Sequence, residues 1–321
     1  MKTVLFSRIV VFLSSLLIYC AASAAAAAYP NKPIRLIVPF SAGGNTDIFA
    51  RTIAPIISEQ WGQQVVVDNR GGAGGVIGTA IAAHATPDGY TLLFVSGSHV
   101  VNPTVRKNLP YDTIKDFQPI SLVIVVPNLL VAHPSVPVRS IPELIKLAKA
   151  EPGKLNYASS GTGTFAHLSF ATFNSMAGVQ IQHIPYKGNG PATVAILGGQ
   201  VQFMMGAQPS AMPHVRAKRL IALGVTSNKR SPQLPEVPAI SEFLPGYEFT
   251  QGFGILAPAG TPQSVVKKLN KEIVAVLNMP EVRKSFLSKG ATPTSSSPGE
   301  YARYIRSEIK KLAKVAKDVG L

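Results

Sequence analysis

The sequence predicts an α/β protein built from mainly parallel sheets with helices on both faces, divided into about two domains. Three observations predict it. Short branched apolar runs recur, each runs into a turn of small residues and glycine, and most of those turns feed a helical segment. Strands that alternate with helices pair in parallel, because each helix carries the chain back across the sheet.

The first unit is Ile34-Arg35-Leu36-Ile37-Val38, which has the length and branching of a strand. It runs through Pro39 to Asp47 into Asn45 to Trp61, where Phe49, Ile53, Ile56, Ile57 and Gln60 fall at helical spacing. Gln64 to Asp68 reads as the next strand, followed by Arg70-Gly71-Gly72-Ala73-Gly74-Gly75 and a helical stretch from Val76 to His84. Thr91 to Val95 runs into Ser96-Gly97-Ser98. Leu155 to Ala158 runs into Ser159-Ser160-Gly161-Thr162-Gly163-Thr164 and a helix through Leu168 and Phe173. Ile181 to Pro185 runs into Tyr186-Lys187-Gly188-Asn189-Gly190, with Pro191 suited to the first helical position. Val201 to Met205 runs into Gly206-Ala207-Gln208-Pro209-Ser210.

Ahead of the first strand, Lys2 and Arg8 precede the apolar run Ile9 to Tyr19, and Ala21 to Ala28 supplies small-x-small sites. This is the layout of a secretory signal peptide, with cleavage expected after Ala28. The apolar run is shorter than the roughly 20 residues that span a bilayer. Tyr19 is too bulky for the residue that precedes a lipidated cysteine, which sets aside a lipid anchor on Cys20. Removal leaves 321 − 28 = 293 residues and no cysteine, since Cys20 is the only one. Internal disulfides, thiolate metal sites and cysteine nucleophiles are thereby excluded from the expected mature chain.

The net charge of +15 becomes 15 − 2 = +13 without Lys2 and Arg8, which disfavours cationic partners. Much of the excess lies on one face of the last helix, at Arg303, Arg306, Lys310, Lys314 and Lys317, opposite Ile305, Ile309, Leu312 and Val319. No aromatic residues interleave with that stripe, so it reads as a solvated face, and no nucleic-acid partner is expected.

The turns are the functional part. Parallel sheets collect their strand-to-helix turns along one edge, where helix N-termini present unpaired N–H groups. Small residues let a ligand approach the backbone, and each helix end contributes roughly half a positive charge. Such an edge suits a carboxylate or another small anion. Nucleotides fit less well: Gly72-Ala73-Gly74-Gly75-Val76-Ile77 has its last glycine one place late, at Gly78, and no glycine-rich loop is followed by Lys-Ser or Lys-Thr. His84, His99, His133, His167, His183 and His214 show no metal-ligand spacing, and no Gly-x-Ser-x-Gly surrounds a serine. No metal or cofactor is expected. Ser264-Val265-Val266-Lys267 matches Ser-x-x-Lys by letter only, because it opens an ordinary amphipathic helix.

Several stretches occur together and in order. They are Pro39-Phe40-Ser41-Ala42-Gly43-Gly44 with Asp47 and Arg51, Val67-Asp68-Asn69-Arg70 with Gly72-Ala73-Gly74-Gly75, and Thr86-Pro87-Asp88-Gly89-Tyr90-Thr91-Leu92-Leu93. They continue with Ser159-Ser160-Gly161-Thr162-Gly163 and His167-Leu168, Pro185-Tyr186-Lys187-Gly188, and Leu256-Ala257-Pro258-Ala259-Gly260-Thr261-Pro262. From about Tyr29 onward the chain resembles the Bug family, the periplasmic substrate-binding proteins of tripartite tricarboxylate transporters. One departure is Gln251-Gly252-Phe253-Gly254, where many members carry a tryptophan near Gly252.

The resemblance implies a type II-like, two-lobed periplasmic-binding-protein fold with a ligand cleft between the lobes. Crossings are expected near Pro127-Asn128 and Gln251-Gly252. Lobe 1 is then 29–127 plus 252–300, and lobe 2 is 128–251 plus 301–321. The loop bearing Ser41, Ala42, Gly43, Gly44 and Asp47 is expected to hold one end of the ligand, partly through water, beside Gly74, Ser96 and Ser98. Ser159, Ser160, Thr162, Gly163 and Thr164 are expected to hold the other end, with His167, Tyr186, Lys187, Gly188 and Gln208. Asp47 has two readings, a first-turn acid that complements the helix dipole, or a functional residue that fixes the turn and a bridging water or receives a ligand amine. Lys187 either supplies a point charge or leaves binding to neutral donors.

The expected function is a non-enzymatic receptor for a small organic acid or amino acid. It would act as a monomer by hinge closure and deliver its ligand to a large and a small membrane subunit. A periplasmic hydrolase using Ser96 or Ser160, and a sensor subunit docking on a signalling protein, are the alternatives.

Overall fold

A computed structural model describes residues 29–321, and the signal peptide expected over 1–28 lies outside the described residues. Ten strands are formed: β1 (Ile34–Val38), β2 (Val65–Asn69), β3 (Thr91–Val95), β4 (Phe117–Ala132), β5 (Asn156–Ser159), β6 (Gln182–Pro185), β7 (Phe203–Ala207), β8 (Ile221–Val225), β9 (Thr250–Pro258) and β10 (Thr292–Pro293). The helices between and after them are α1 (Asn45–Trp61), α2 (Val76–Ala83), α3 (Ser98–Val105), α4 (Ile141–Ala150), α5 (Phe165–Ala177), α6 (Asn189–Leu197), α7 (Gln208–Arg216), α8 (Gln263–Asn278), α9 (Pro280–Ser288) and α10 (Pro298–Asp318).

The strand order is β2-β1-β3-β9-β4-β7-β5-β6, with β8 and β10 also on β4. The wings are parallel as expected, β1 with β2 and β3, and β5 with β6 and β7. The centre is antiparallel, so the sheets are mixed. The cause is β4, a strand of 16 residues that serves both lobes. Its Phe117–Pro127 part pairs with β9, and its Asn128–Ala132 part pairs with β7 and β8. A strand that passes from one lobe to the other is not returned by a crossover helix, so nothing constrains it to run parallel to its neighbours.

Alternation along the strands fills the core on both faces. Ile34, Leu36 and Val38 of β1 and Phe253 and Ile255 of β9 meet Phe49, Ile53 and Ile57 of α1 and Leu269 and Ile273 of α8. Ile37, Leu93 and Leu256 point the other way, into a core continuous through both lobes with Phe170 and Phe173 of α5 and Tyr301 and Ile305 of α10. Each such fully buried side chain contributes about 1.5–3 kcal/mol. The basic stripe of α10 is exposed while Tyr301, Ile305 and Leu312 are buried, the solvated face its spacing predicts.

Candidate functional site

The glycine-rich turns of both lobes meet around an internal cavity. Its volume is about 20 Å³, and it is lined by Phe40, Gly44, Asn45, Thr46, Ser96, Ser98, Ser160, Ala166, Asn189, Gln251 and Phe253. No lining side chain carries a charge. Three helices begin there: α1 after Gly44, α3 after Gly97 and α6 after Gly188, none with a side-chain cap. Ser140 caps α4, a Ser297–Glu300 capping box closes α10 and Thr164 caps α5, whereas α2, α7, α8 and α9 also begin without a side-chain cap. The starts of α1, α3 and α6 bring three positive helix ends to the cavity, with the α3 amides of Ser98, His99 and Val100 already held by Ser96 and Gly97, and such helix ends stabilise an anion without a cationic side chain.

The loop before α1 is held from outside the cavity. Asp47 accepts hydrogen bonds from the Gly43 amide at 2.9 Å, Arg51 Nε at 2.8 Å and Asn69 Nδ2 at 3.0 Å. Asn69 Nδ2 also donates to the Phe40 carbonyl at 3.1 Å, while Asp68 pairs with Arg35 and Arg70. Asp47 thus ties the Gly43 turn to Arg51 and Asn69.

The lobes touch around the cavity. Ser98 Oγ accepts from the Phe165 amide at 3.2 Å, Asn45 Oδ1 accepts from the Ser210 amide at 3.1 Å, and Arg106 donates to the Thr162 carbonyl. A Cβ built on Gly74 would lie 2.7 Å from the Thr162 carbonyl oxygen, and one on Gly188 would lie 2.6 Å from Ser41 Oγ. Only glycine permits approaches this close.

Behind the Ser159–Thr164 loop, His167 and His183 stack with ring centroids 3.9 Å apart. His167 Nδ1 accepts from the Gly163 amide at 3.2 Å, and His183 Nε2 lies 2.6 Å from Ser159 Oγ. Burial, and for His167 the nearby Arg106, lowers that histidine to about 4; burial and His167 lower His183 to about 3. Both rings are neutral supports of the loop. Ser159 and His183 touch, but no acid is hydrogen-bonded to His183, and Ser159 is fully buried with its hydroxyl bonded to Gly161. Among the described residues, no Ser-His-acid triad is assembled at Ser159. Among the described residues no group of three His, Cys, Asp or Glu is placed to hold a metal.

Of the residues expected from the sequence, Gly44, Ser96, Ser98 and Ser160 line the cavity. Ser41, Ala42, Gly43 and Tyr186 line a wider open groove outside it. Gly74, Ser159, Thr162, Gly163, Thr164, His167 and Gly188 shape or support the loops at the junction. Lys187 is exposed, and Gln208 is buried but donates to Ser231 Oγ at 2.8 Å, so neither lines the cavity. The sequence reading did not pick out Phe40, Asn45, Thr46, Ala166, Asn189, Gln251 or Phe253 as ligand-binding. One usable signal existed for Asn45: it follows a glycine that cannot cap the helix it opens. Phe40 and Phe253 supply aromatic lining, whereas a side chain at Gly252 would run into Tyr304, 2.6 Å from its Cβ.

Comparison with known proteins agrees with this fold. A family model described as "Tripartite tricarboxylate transporter family receptor" matches residues 49–321. The chain is 39% identical to the protein BugT of Bordetella pertussis over 303 residues, 94% of this chain and 93% of that one. The solved structure of R. palustris Rpa4515 with adipate superposes with a TM-score of 0.89 at 38% identity, covering 91% of this chain and 98% of the other. MatC of Rhodopseudomonas palustris with bound malate superposes at 0.86 with 31% identity, covering 89% and 99%.

Proposed function

Because the chain belongs to the tripartite tricarboxylate transporter receptor family, we propose that its cavity holds one small carboxylate ligand and that closure of the lobes presents the loaded form to the transporter. The protein is a ligand-binding receptor of this transporter family, whose members are periplasmic. The observation that carries the ligand class is the charge-free lining at the convergence of three uncapped helix N-termini. A carboxylate there replaces its lost water with main-chain and hydroxyl donors, and the helix ends offset its charge. Adipate and malate in two related structures point to the same class of ligand.

Ligand that touches both lobes binds the closed form better and shifts the population towards it. The ligand-contacting residues we assign are Gly44, Ser96, Ser98 and Ser160, with Asp47, Gly74 and the Ser159–Thr164 loop holding their positions. Lobe 1 is built around 29–127 and the strand from 252, lobe 2 around 128–251, and α10 packs mainly on lobe 1, against α3 and Gly252 and Gly254 of β9. Residues 1–28 direct export and are cleaved near Ala28. The mature chain works as a monomer with a large and a small membrane subunit and changes no bond of its ligand.

Native mass spectrometry of the purified chain should reveal a retained small acid. Titration with mono-, di- and tricarboxylates should raise the melting temperature for at least one. A panel that stabilises nothing, from a preparation that retains nothing, sinks the receptor reading.

A further inference from the structure

We infer that Asn45 is a two-sided residue, gripping a ligand carboxylate oxygen with its amide nitrogen while its amide oxygen latches the lobes together. Asn45 is 3% exposed, lines the cavity and is the first residue of the 17-residue helix α1. Its Oδ1 accepts from the Ser210 amide of α7 at 3.1 Å. A backbone N–H can only donate, so this contact fixes which end of the side-chain amide faces Ser210. Nδ2 is the other end, and among the described residues it is buried without a partner.

A buried donor left unpaired costs free energy that a ligand acceptor would recover. The uncapped N-terminus of α1 adds a dipole of the sign that favours a negative group there. Ser96 and Ser98 line the same cavity and offer hydroxyls to the same ligand. Because the two ends of one rigid amide serve the ligand and the opposite lobe, occupancy and closure become coupled: an Asn45 held by Ser210 is already oriented for the ligand. The assignment rests on the carboxylate-receptor reading and names a specificity-determining contact within it.

Two substitutions separate the two ends. Asn45→Ala removes both. Asn45→Asp keeps an oxygen for the Ser210 amide but replaces the donor with a second oxygen, placing like charge against a carboxylate. Affinities of the full mature chain are measured by calorimetry with a carboxylate panel that includes adipate and malate, and compaction on binding is followed by small-angle scattering. Asn45→Ala should weaken binding about tenfold, and Asn45→Asp by about 100-fold or more. The order is the decisive result, since a purely structural Asn45 predicts that the alanine variant suffers more. If the unaltered chain binds a carboxylate and Asn45→Asp binds it as well as or better than Asn45→Ala, this role is overturned while the receptor reading stands. If the unaltered chain binds none of the panel, the receptor reading falls and this role with it.

Discussion

Gln251 donates its side-chain amide to Asn128 Oδ1 at 2.7 Å, and this bond ties β9 to β4 at the point where β4 changes sheets. Both residues are buried, and Gln251 also lines the cavity. Thr226 fastens the same point, accepting from the Asn128 amide at 2.7 Å while its carbonyl accepts from the Phe249 amide at 2.8 Å. These residues form a buried polar knot where β4 changes sheets, and through Gln251 the knot reaches the cavity.

Gln251→Leu removes the donor and leaves a buried Asn128 oxygen without it. The expected loss is about 1–3 kcal/mol of unfolding free energy, measured by urea denaturation. Ligand affinity should fall as well, because Gln251 faces the cavity. Unchanged stability and binding would show that the knot is not coupled to the site.

Gly74→Ala tests closure. Its backbone angle of φ +66° already disfavours a side chain, and the added Cβ would meet the Thr162 carbonyl of the facing loop at 2.7 Å. The clash exists only where the two loops meet, so the closed form is penalised more than the open one. The clash should lower affinity at least about tenfold, while the backbone conformation costs folding stability on the order of 1–2 kcal/mol in open and closed forms alike. Calorimetry provides the measurement, and wild-type affinity would argue against closure through this contact.

Acid should destabilise the protein through its buried histidines. His99, lowered to about 4 by burial, joins His167 at about 4 and His183 at about 3. Their folded values lie below the ordinary 6.5, so the unfolded chain binds protons first as pH falls. Their stabilising contribution is complete above about pH 6.5 and is lost progressively as pH falls from there towards 3–4, on the order of several kcal/mol for the three. Thermal melts across pH 4 to 7 should show the slope. His99→Phe, which removes a ring enclosed by Tyr111 and Phe117, should flatten it.

Gly252 faces Tyr304 of α10, not the cavity. Gly252→Ala should cost about 1–3 kcal/mol by overpacking. Tyr304→Phe in the same chain should restore part of it, since the hydroxyl is the nearest obstacle at 2.6 Å. A double-mutant cycle in urea measures the coupling, and strict additivity would exclude the contact.

What the sequence determined by itself is local. Branched apolar runs, helical spacing in Asn45 to Trp61 and the glycine-serine turns each encode their element through short-range sterics and burial, and Gly44, Ser96, Ser98 and Ser160 were legible because they lie on those turns. The 16-residue course of β4 through both lobes was not read from its own residues, because its apolar run serves two sheets in succession and carries no mark of the change. Which turn residue faces the cavity was decided only when the lobes met: Asn45 is oriented by Ser210, 165 positions away, while Lys187 is left in solvent and Gln208 turned towards Ser231. Local rules fix the conformation of a turn, but the direction a side chain takes into a cleft depends on the surface that closes over it, and that surface comes from a distant part of the chain.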